Sequence, residues 1–300
     1  ATPTTANSPT AMEASQAITR RSASNLAFAF VVLGKQRRFA MTALYAFCRE
    51  VDDVADEETV PIADRRAALA EWRTDIQRAC EGGQPEKPVI RELQPSIKTY
   101  GLSLDHFHEL LNGIEGDLDT DRCETYEELD QYCYRVASIV GLLSIEIFGY
   151  RNDDCQRYAV HLGKALQLTN ILRDVANDAQ RGRIYLPREA MEKFGVDPES
   201  LLALKYSTAF HNLAADLAVR ARDHYQKAAE LLPPVDRRSM LAAECMGAVY
   251  WRLLRAMEQS KFRVMNSEPH RINRTRKLVI FLGVWWRTVI GSLGPNYGRD

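Results

Sequence analysis

One all-α domain is the fold class this sequence predicts, and three observations predict it. Apolar residues recur at helical spacing along almost the whole chain, stretches with the strict alternation of a half-buried strand are absent, and the breaks between helical segments are short. None of those breaks has the Gly/Ser-rich or Pro-rich composition of an interdomain linker. With 46% hydrophobic residues, the 300-residue chain can bury a substantial core. Its 39 basic and 40 acidic residues leave a net charge of -1, which excludes the broad basic face of a general nucleic-acid binder. The six cysteines, Cys48, Cys80, Cys123, Cys133, Cys155 and Cys245, lack the paired short spacings of a zinc site or a disulfide framework and read as reduced thiols.

The opening residues, 1–20, lack the apolar core of a signal peptide and read as disordered. Lys35 to Glu58 reads as one helix with Phe39, Leu44, Tyr45, Cys48 and Val51 inward. Pro61 to Gly82 follows, amphipathic through Ala67, Leu69, Trp72 and Ile76, and stopped by Gly82, Gly83 and Pro85. Further helices are predicted over Val89–Tyr100, Ser103–Gly116, Thr125–Phe148, Asp153–Gln180, Pro187–Phe194, Thr208–Leu232 and Arg237–Asn266, with breaks at Gly101, Gly149, Gly195 and Pro233-Pro234. The domain runs over 21–292, leaving 293–300 as a tail. In KLVIFLGVWWRTVIGSL the apolar run Leu278–Val284 is followed by Trp285, Trp286 and Arg287, short of the roughly 18–20 apolar residues that cross a bilayer. That composition suits either a final core helix or a helix lying on a membrane surface.

Two acidic clusters carry the functional signal. Asp52, Asp53 and Asp56 lie in YAFCREVDDVADE, and Asp174 and Asp178 lie in QLTNILRDVANDAQRGRIYLP. Acids four residues apart share one helix face, so each cluster sets like charges one above the other on helices that are otherwise apolar. A hard divalent cation, Mg²⁺ with Mn²⁺ as a substitute, resolves that repulsion and is commonly held by carboxylates together with phosphate oxygens. The expectation is two facing acidic helices that grip diphosphates through the metal. Arg49, Arg173 and Arg183 are either salt-bridge partners or guanidinium forks for phosphate. Gln167 and Asn170 share the face of Asp174. Tyr45, Tyr134 and Tyr250 are core tyrosines or the aromatic faces that a carbocation site would use. Gly182, between Arg181 and Arg183, marks a mobile turn or lid. The six histidines have no metal-ligand spacing, and a Gly-rich phosphate loop is absent.

These motifs, with NILRDV and RIYLP, make the chain from about Ser22 to Arg276 resemble the head-to-head prenyl synthases, which include squalene, dehydrosqualene, phytoene and presqualene diphosphate synthases. Within them, TALYAFCREVDD and YCYRVASIVGLLSIEIFG are most similar to the bacterial presqualene diphosphate synthases of hopanoid pathways. The resemblance implies an all-α isoprenoid-synthase bundle with a central cavity. It implies magnesium on Asp52, Asp53, Asp56, Asn170, Asp174 and Asp178; catalytic roles for Tyr45, Arg49, Tyr134, Arg173 and Tyr185; and substrate contacts from Arg49, Gln167, Asn170, Arg173, Arg183 and Tyr250. The stretches Val136–Leu143 and Leu162–Leu168 would set cavity depth. Ser22, Ser24, Asn25 and Leu26 stand where the family has a Ser-x-Ser-Phe signature, with a leucine in place of the aromatic. The implied reaction joins two farnesyl diphosphates to presqualene diphosphate. Its alternatives are squalene, with NADPH, dehydrosqualene, phytoene from geranylgeranyl diphosphate, and a non-catalytic lipid-binding relative. The implied partners are prenyl diphosphates, downstream squalene-pathway enzymes and a membrane surface, for a cytoplasmic protein that touches the membrane peripherally.

Overall fold

The computed structural model describes residues 13–22, 29–119, 122–265, 272–290 and 294–298, so Ser24, Asn25 and Leu26 lie outside the described residues. Among the described residues the regular elements are helical, and extended backbone pairs only at an isolated bridge between Arg122 and Ile184. The chain forms two compact units, one ending at Leu111 and the other starting at Asn112.

The first unit opens on α1 (Glu13–Ser22), where the sequence reads as disordered up to residue 20. The correction has a physical cause 77 residues away. The Glu92 carboxylate accepts from Ala14 N at 3.3 Å, from Ser15 N at 2.9 Å and from the Ser15 hydroxyl, satisfying donors that a first helical turn cannot satisfy itself. Then come α2 (Lys35–Asp56), α3 (Ile62–Cys80), α4 (Pro88–Tyr100) and α5 (Leu104–Gly116), whose last residues belong to the second unit. Helix α2 is packed by α1, α3 and α4. Its inward face, Ala40, Leu44, Phe47, Cys48 and Val51, is buried, and Phe47 meets Trp72 and Phe107 edge to face at 5.8 and 5.3 Å. The face left over carries the acids.

In the second unit the helix expected over Thr125–Phe148 is three pieces: α6 (Tyr126–Cys133), a π turn (Tyr134–Ser138) and α7 (Ile139–Phe148). Helix α8 (Asp154–Gln180) spans about 40 Å at 1.5 Å per residue and packs along α11 (Thr208–Leu231) and against the π turn, α7 and α12 (Leu241–Gln259). The π turn meets α8 at Gly163, where a Cβ would come within 2.6 Å of the Ser138 Cα, and the Ser138 hydroxyl donates to Val160 O at 2.8 Å. The two stretches expected to set cavity depth therefore touch through a glycine. Between α8 and α11 lie α9 (Arg188–Phe194) and a short α10 (Pro198–Leu202) that the periodicity does not reveal.

Helix α12 stops at Gln259 rather than Asn266. Lys261 and Phe262 take positive φ of 55° and 53°, and Phe262 N closes on Met257 O at 2.7 Å, which buries the Phe262 ring. The last helix is α13 (Arg274–Ile290). The region read as a tail is also corrected, because Tyr297 is fully buried. Its ring lies 5.7 Å from that of Tyr225 and fills the space left open at Gly247, where a Cβ would sit 2.7 Å from the ring. Its hydroxyl donates to Glu244, which also accepts from Tyr158 at 2.7 Å.

Candidate active site

The first acidic motif occupies the last turns of α2. Asp52 and Asp53 are exposed and Asp56 is half-buried. Arg49 Nη2 reaches Asp53 Oδ1 at 2.5 Å across one helical turn, so the arginine pairs with the middle acid, and Asp52 and Asp56 form the four-residue pair. Both partners of that ion pair are about half exposed, which makes it worth little to stability. Tyr45, half-buried, stands edge-on to Phe30 at 6.3 Å. Cys48 lies one turn behind Asp52, and burial together with the Asp52 charge pushes its thiol far up, so it stays protonated.

The second motif is on α8. Gln167, Asn170, Asp174 and Asp178 follow at three- and four-residue steps, all half-buried, which keeps them on one face. Asn170 Nδ2 donates to Gln167 Oε1 at 3.4 Å, while Asn170 Oδ1 is buried with no hydrogen-bond partner. Arg173 grips Asp174 with both prongs, Nε to Oδ1 at 2.7 Å and Nη2 to Oδ2. Burial opposes the Arg173 charge, but Asp174 and the nearby Tyr250 outweigh it and its pKa rises.

After α8 the chain turns at Gly182, whose φ of +72° suits glycine, and Arg183 N returns to Asp178 O at 2.9 Å. Asp178, Arg183 and Tyr185 then line one small cleft with Ile171 and Val175. The segment expected to be a lid is tied down on its far side: Ile184 bridges Arg122, Arg188 N donates to Cys123 O at 2.9 Å, and Glu189 N to Glu124 O at 3.1 Å.

Sequence reasoning missed two residues here. Tyr132 stacks on Tyr185 with centroids 5.1 Å apart, and the Asp117 carboxylate lies 3.3 Å from the Tyr132 hydroxyl and 3.4 Å from that of Tyr185. Burial and the Asp117 charge raise both phenols, so both remain donors at neutral pH. These three border a cleft of about 620 Å³ that Asn112, Arg122 and Arg135 also line. Tyr134, selected from the sequence, instead lies under the Lys164 ammonium, 6.0 Å from the ring centroid. Tyr134 is the first residue of the π turn.

The donor set can be tested against the expected cation. Among the described residues no three acid, histidine or cysteine side chains form a finished metal cage. What α8 provides is a run of hard oxygens, Asp174 and Asp178 plus the unpartnered Asn170 Oδ1, beside an arginine fork. Such a set fits Mg²⁺, which keeps part of its coordination for water and phosphate.

Helical elements throughout the described residues, with one acidic helix and an arginine in each unit, match the all-α fold of the squalene and dehydrosqualene synthases among solved structures. The chain belongs to the squalene/phytoene synthase family, whose model matches residues 19–277. It is 37% identical over 252 residues to a presqualene diphosphate synthase of Rhodopseudomonas palustris, covering 84% of this chain and 89% of that protein. It is 39% identical over 229 residues to a presqualene diphosphate synthase of Zymomonas mobilis, covering 75% and 77%. Among solved structures it resembles a dehydrosqualene synthase crystallised with ligand, with a TM-score of 0.82, 29% identity and coverage of 92% and 95%.

Proposed function

We propose that this chain couples two farnesyl diphosphates head to head and releases presqualene diphosphate. The observation that carries the reading is the α8 array: a bidentate Arg173–Asp174 pair with the unpartnered Asn170 Oδ1 one turn before it and Asp178 one turn after. The names of the relatives favour the C30 diphosphate as product.

Arg173 stays cationic with its Nε and Nη2 donating to Asp174, and its charge beside that carboxylate would favour the oxygens of a leaving diphosphate. Arg183 and Arg49 supply further positive charge in their own units. Asp174, Asp178 and Asn170 on α8, and Asp52, Asp53 and Asp56 on α2, would hold magnesium, which when bound neutralises charge building on the diphosphate. As the C–O bond of the donor breaks, the diphosphate leaves with the electron pair, and the C2–C3 double bond of the second substrate attacks the allylic cation. Loss of one proton closes the cyclopropane, giving one C30 diphosphate, one inorganic diphosphate and one H⁺. Tyr132 and Tyr185 present neutral phenol rings whose faces would attract a cation, oriented by their shared acceptor Asp117.

The test is to incubate the purified chain and Mg²⁺ with farnesyl diphosphate, with and without NADPH, and to identify products by mass spectrometry, running geranylgeranyl diphosphate alongside. A C30 diphosphate that persists with NADPH supports the reading. Squalene, dehydrosqualene or phytoene would replace the product, and no product from either substrate would leave a non-catalytic lipid-binding relative.

A further inference from the structure

Helix α13 is apolar on the side that faces solvent. Leu278, Val279, Leu282, Trp285 and Trp286 are between 48% and 65% exposed, while Ile280, Phe281 and Val284 are buried beneath them. Positions 278, 279, 282, 285 and 286 follow helical spacing, so the five exposed side chains form one stripe rather than the scattered apolar residues of any surface. The indoles stand at one end of it. At the other end Arg276 is exposed.

Charge identifies what covers the stripe. From Pro269 to Arg299 the sequence has no Asp or Glu and carries Arg271, Arg274, Arg276, Lys277, Arg287 and Arg299. A second observation lies at the tryptophan end of the same helix. A cleft of about 200 Å³ is lined by Arg237, Arg238 and Arg287, with Val235 and Val284 among its walls. The Nε atoms of Arg237 and Arg287 are buried there without a hydrogen-bond partner. Glu244 also borders the cleft, and burial pushes its carboxyl up to about 7, which weakens it as a counter-charge.

No described helix is long and apolar enough to cross a membrane, and α13, 17 residues long, measures only about 25 Å. Tryptophans beside an apolar stripe flanked by basic residues suit the plane of a bilayer interface. A second copy would also cover the stripe, but it would bring two bands of the same positive sign together.

We propose that α13 lies along an anionic phospholipid surface, with the Leu278-to-Trp286 stripe seated among the acyl chains and the Arg237–Arg238–Arg287 cleft taking a lipid phosphate. This docking does not depend on the catalytic reading, because it is measured without substrate.

The experiment is flotation of the full chain with vesicles of phosphatidylcholine alone and with added phosphatidylglycerol, at low and high salt, with sedimentation velocity in the absence of lipid. The wild type should float with the anionic vesicles, less at high salt, and its tryptophan emission should shift to the blue. Changing both Trp285→Ser and Trp286→Ser, at exposed positions, should weaken flotation by about tenfold or more. Changing Arg237→Gln and Arg238→Gln should remove the preference for anionic lipid and spare the weaker binding to phosphatidylcholine. Unchanged thermal melting of both variants shows that the fold survives. Failure of the wild type to float overturns the proposal, as does equal flotation of the tryptophan variant. A lipid-free dimer that the tryptophan changes dissociate would give the stripe to a second copy instead.

Discussion

Arg173 Nε donates to Asp174 Oδ1 over 2.7 Å although the two are sequence neighbours on one helix, where successive side chains ordinarily diverge. The pair forms because the guanidinium is held against Asp174 on one side and Tyr250 on the other in a partly buried setting. The fork fixes the orientation of the Asp174 carboxylate.

Replacing Arg173 by alanine should lower kcat by about a hundredfold to a thousandfold, the usual effect of removing one preorganised donor to developing charge. Lysine in its place should recover only part of the loss, because an ammonium is a point charge without the fork. Steady-state kinetics with farnesyl diphosphate checks both, and an unchanged Arg173→Lys rate would show that the fork geometry is irrelevant.

Asn170 Oδ1 is the buried oxygen without a partner on this face. Asn170→Ala should raise the Mg²⁺ concentration needed for half-maximal activity by about tenfold or more, with a smaller change at saturating metal. A metal titration at fixed substrate decides it; an unshifted midpoint would remove Asn170 from the ligand set.

The stacked Tyr132–Tyr185 pair on Asp117 makes a comparison possible. Tyr132→Phe should slow turnover by about a hundredfold, and Tyr134→Phe should cost much less, since only the former loses a hydroxyl bound to Asp117. Equal rates for the two variants would assign the Asp117 cluster to packing alone.

Glu244 is buried with its carboxyl raised from an ordinary 4.5 to about 7 by burial, despite hydrogen bonds from Tyr297 and Tyr158. Between those two values the folded state binds more protons than the unfolded state, so stability falls as pH rises from about 4.5 to 7 and levels off above. The loss attributable to this group is at most about 3 kcal/mol. Urea unfolding across that range should show the decline, and Glu244→Gln should flatten it.

Tyr297→Ala should destabilise the second unit by about 3–5 kcal/mol, the range for deleting a buried aromatic ring. The same loss should follow from removing residues 294–300, because Tyr297 is fully buried. Equilibrium unfolding measures it, and a change below about 1 kcal/mol would return the segment to the status of a tail.

Helices α2 to α9 and α11 were legible because an apolar stripe at helical period reports a face that must be buried, and glycines and prolines mark where it stops; the five-residue α10 is too short to show one. The aspartate motifs were legible because paired like charges on an apolar helix need a counter-ion. Helix α1 was not legible, since its cap, Glu92, comes from α4. The π turn was not legible either, since its close approach to α8 is made at Gly163, outside the turn itself.

By itself, then, the sequence determined the helical class, the family and the identity of the acids and arginines, because each rests on residue type and spacing along one helix. Tertiary structure decided that Tyr132 rather than Tyr134 stacks on Tyr185, that Tyr297 is core rather than tail, and that α13 turns an apolar stripe outward. Those outcomes depend on which side of an element its neighbours leave open, and contacts between residues far apart in the chain determine that.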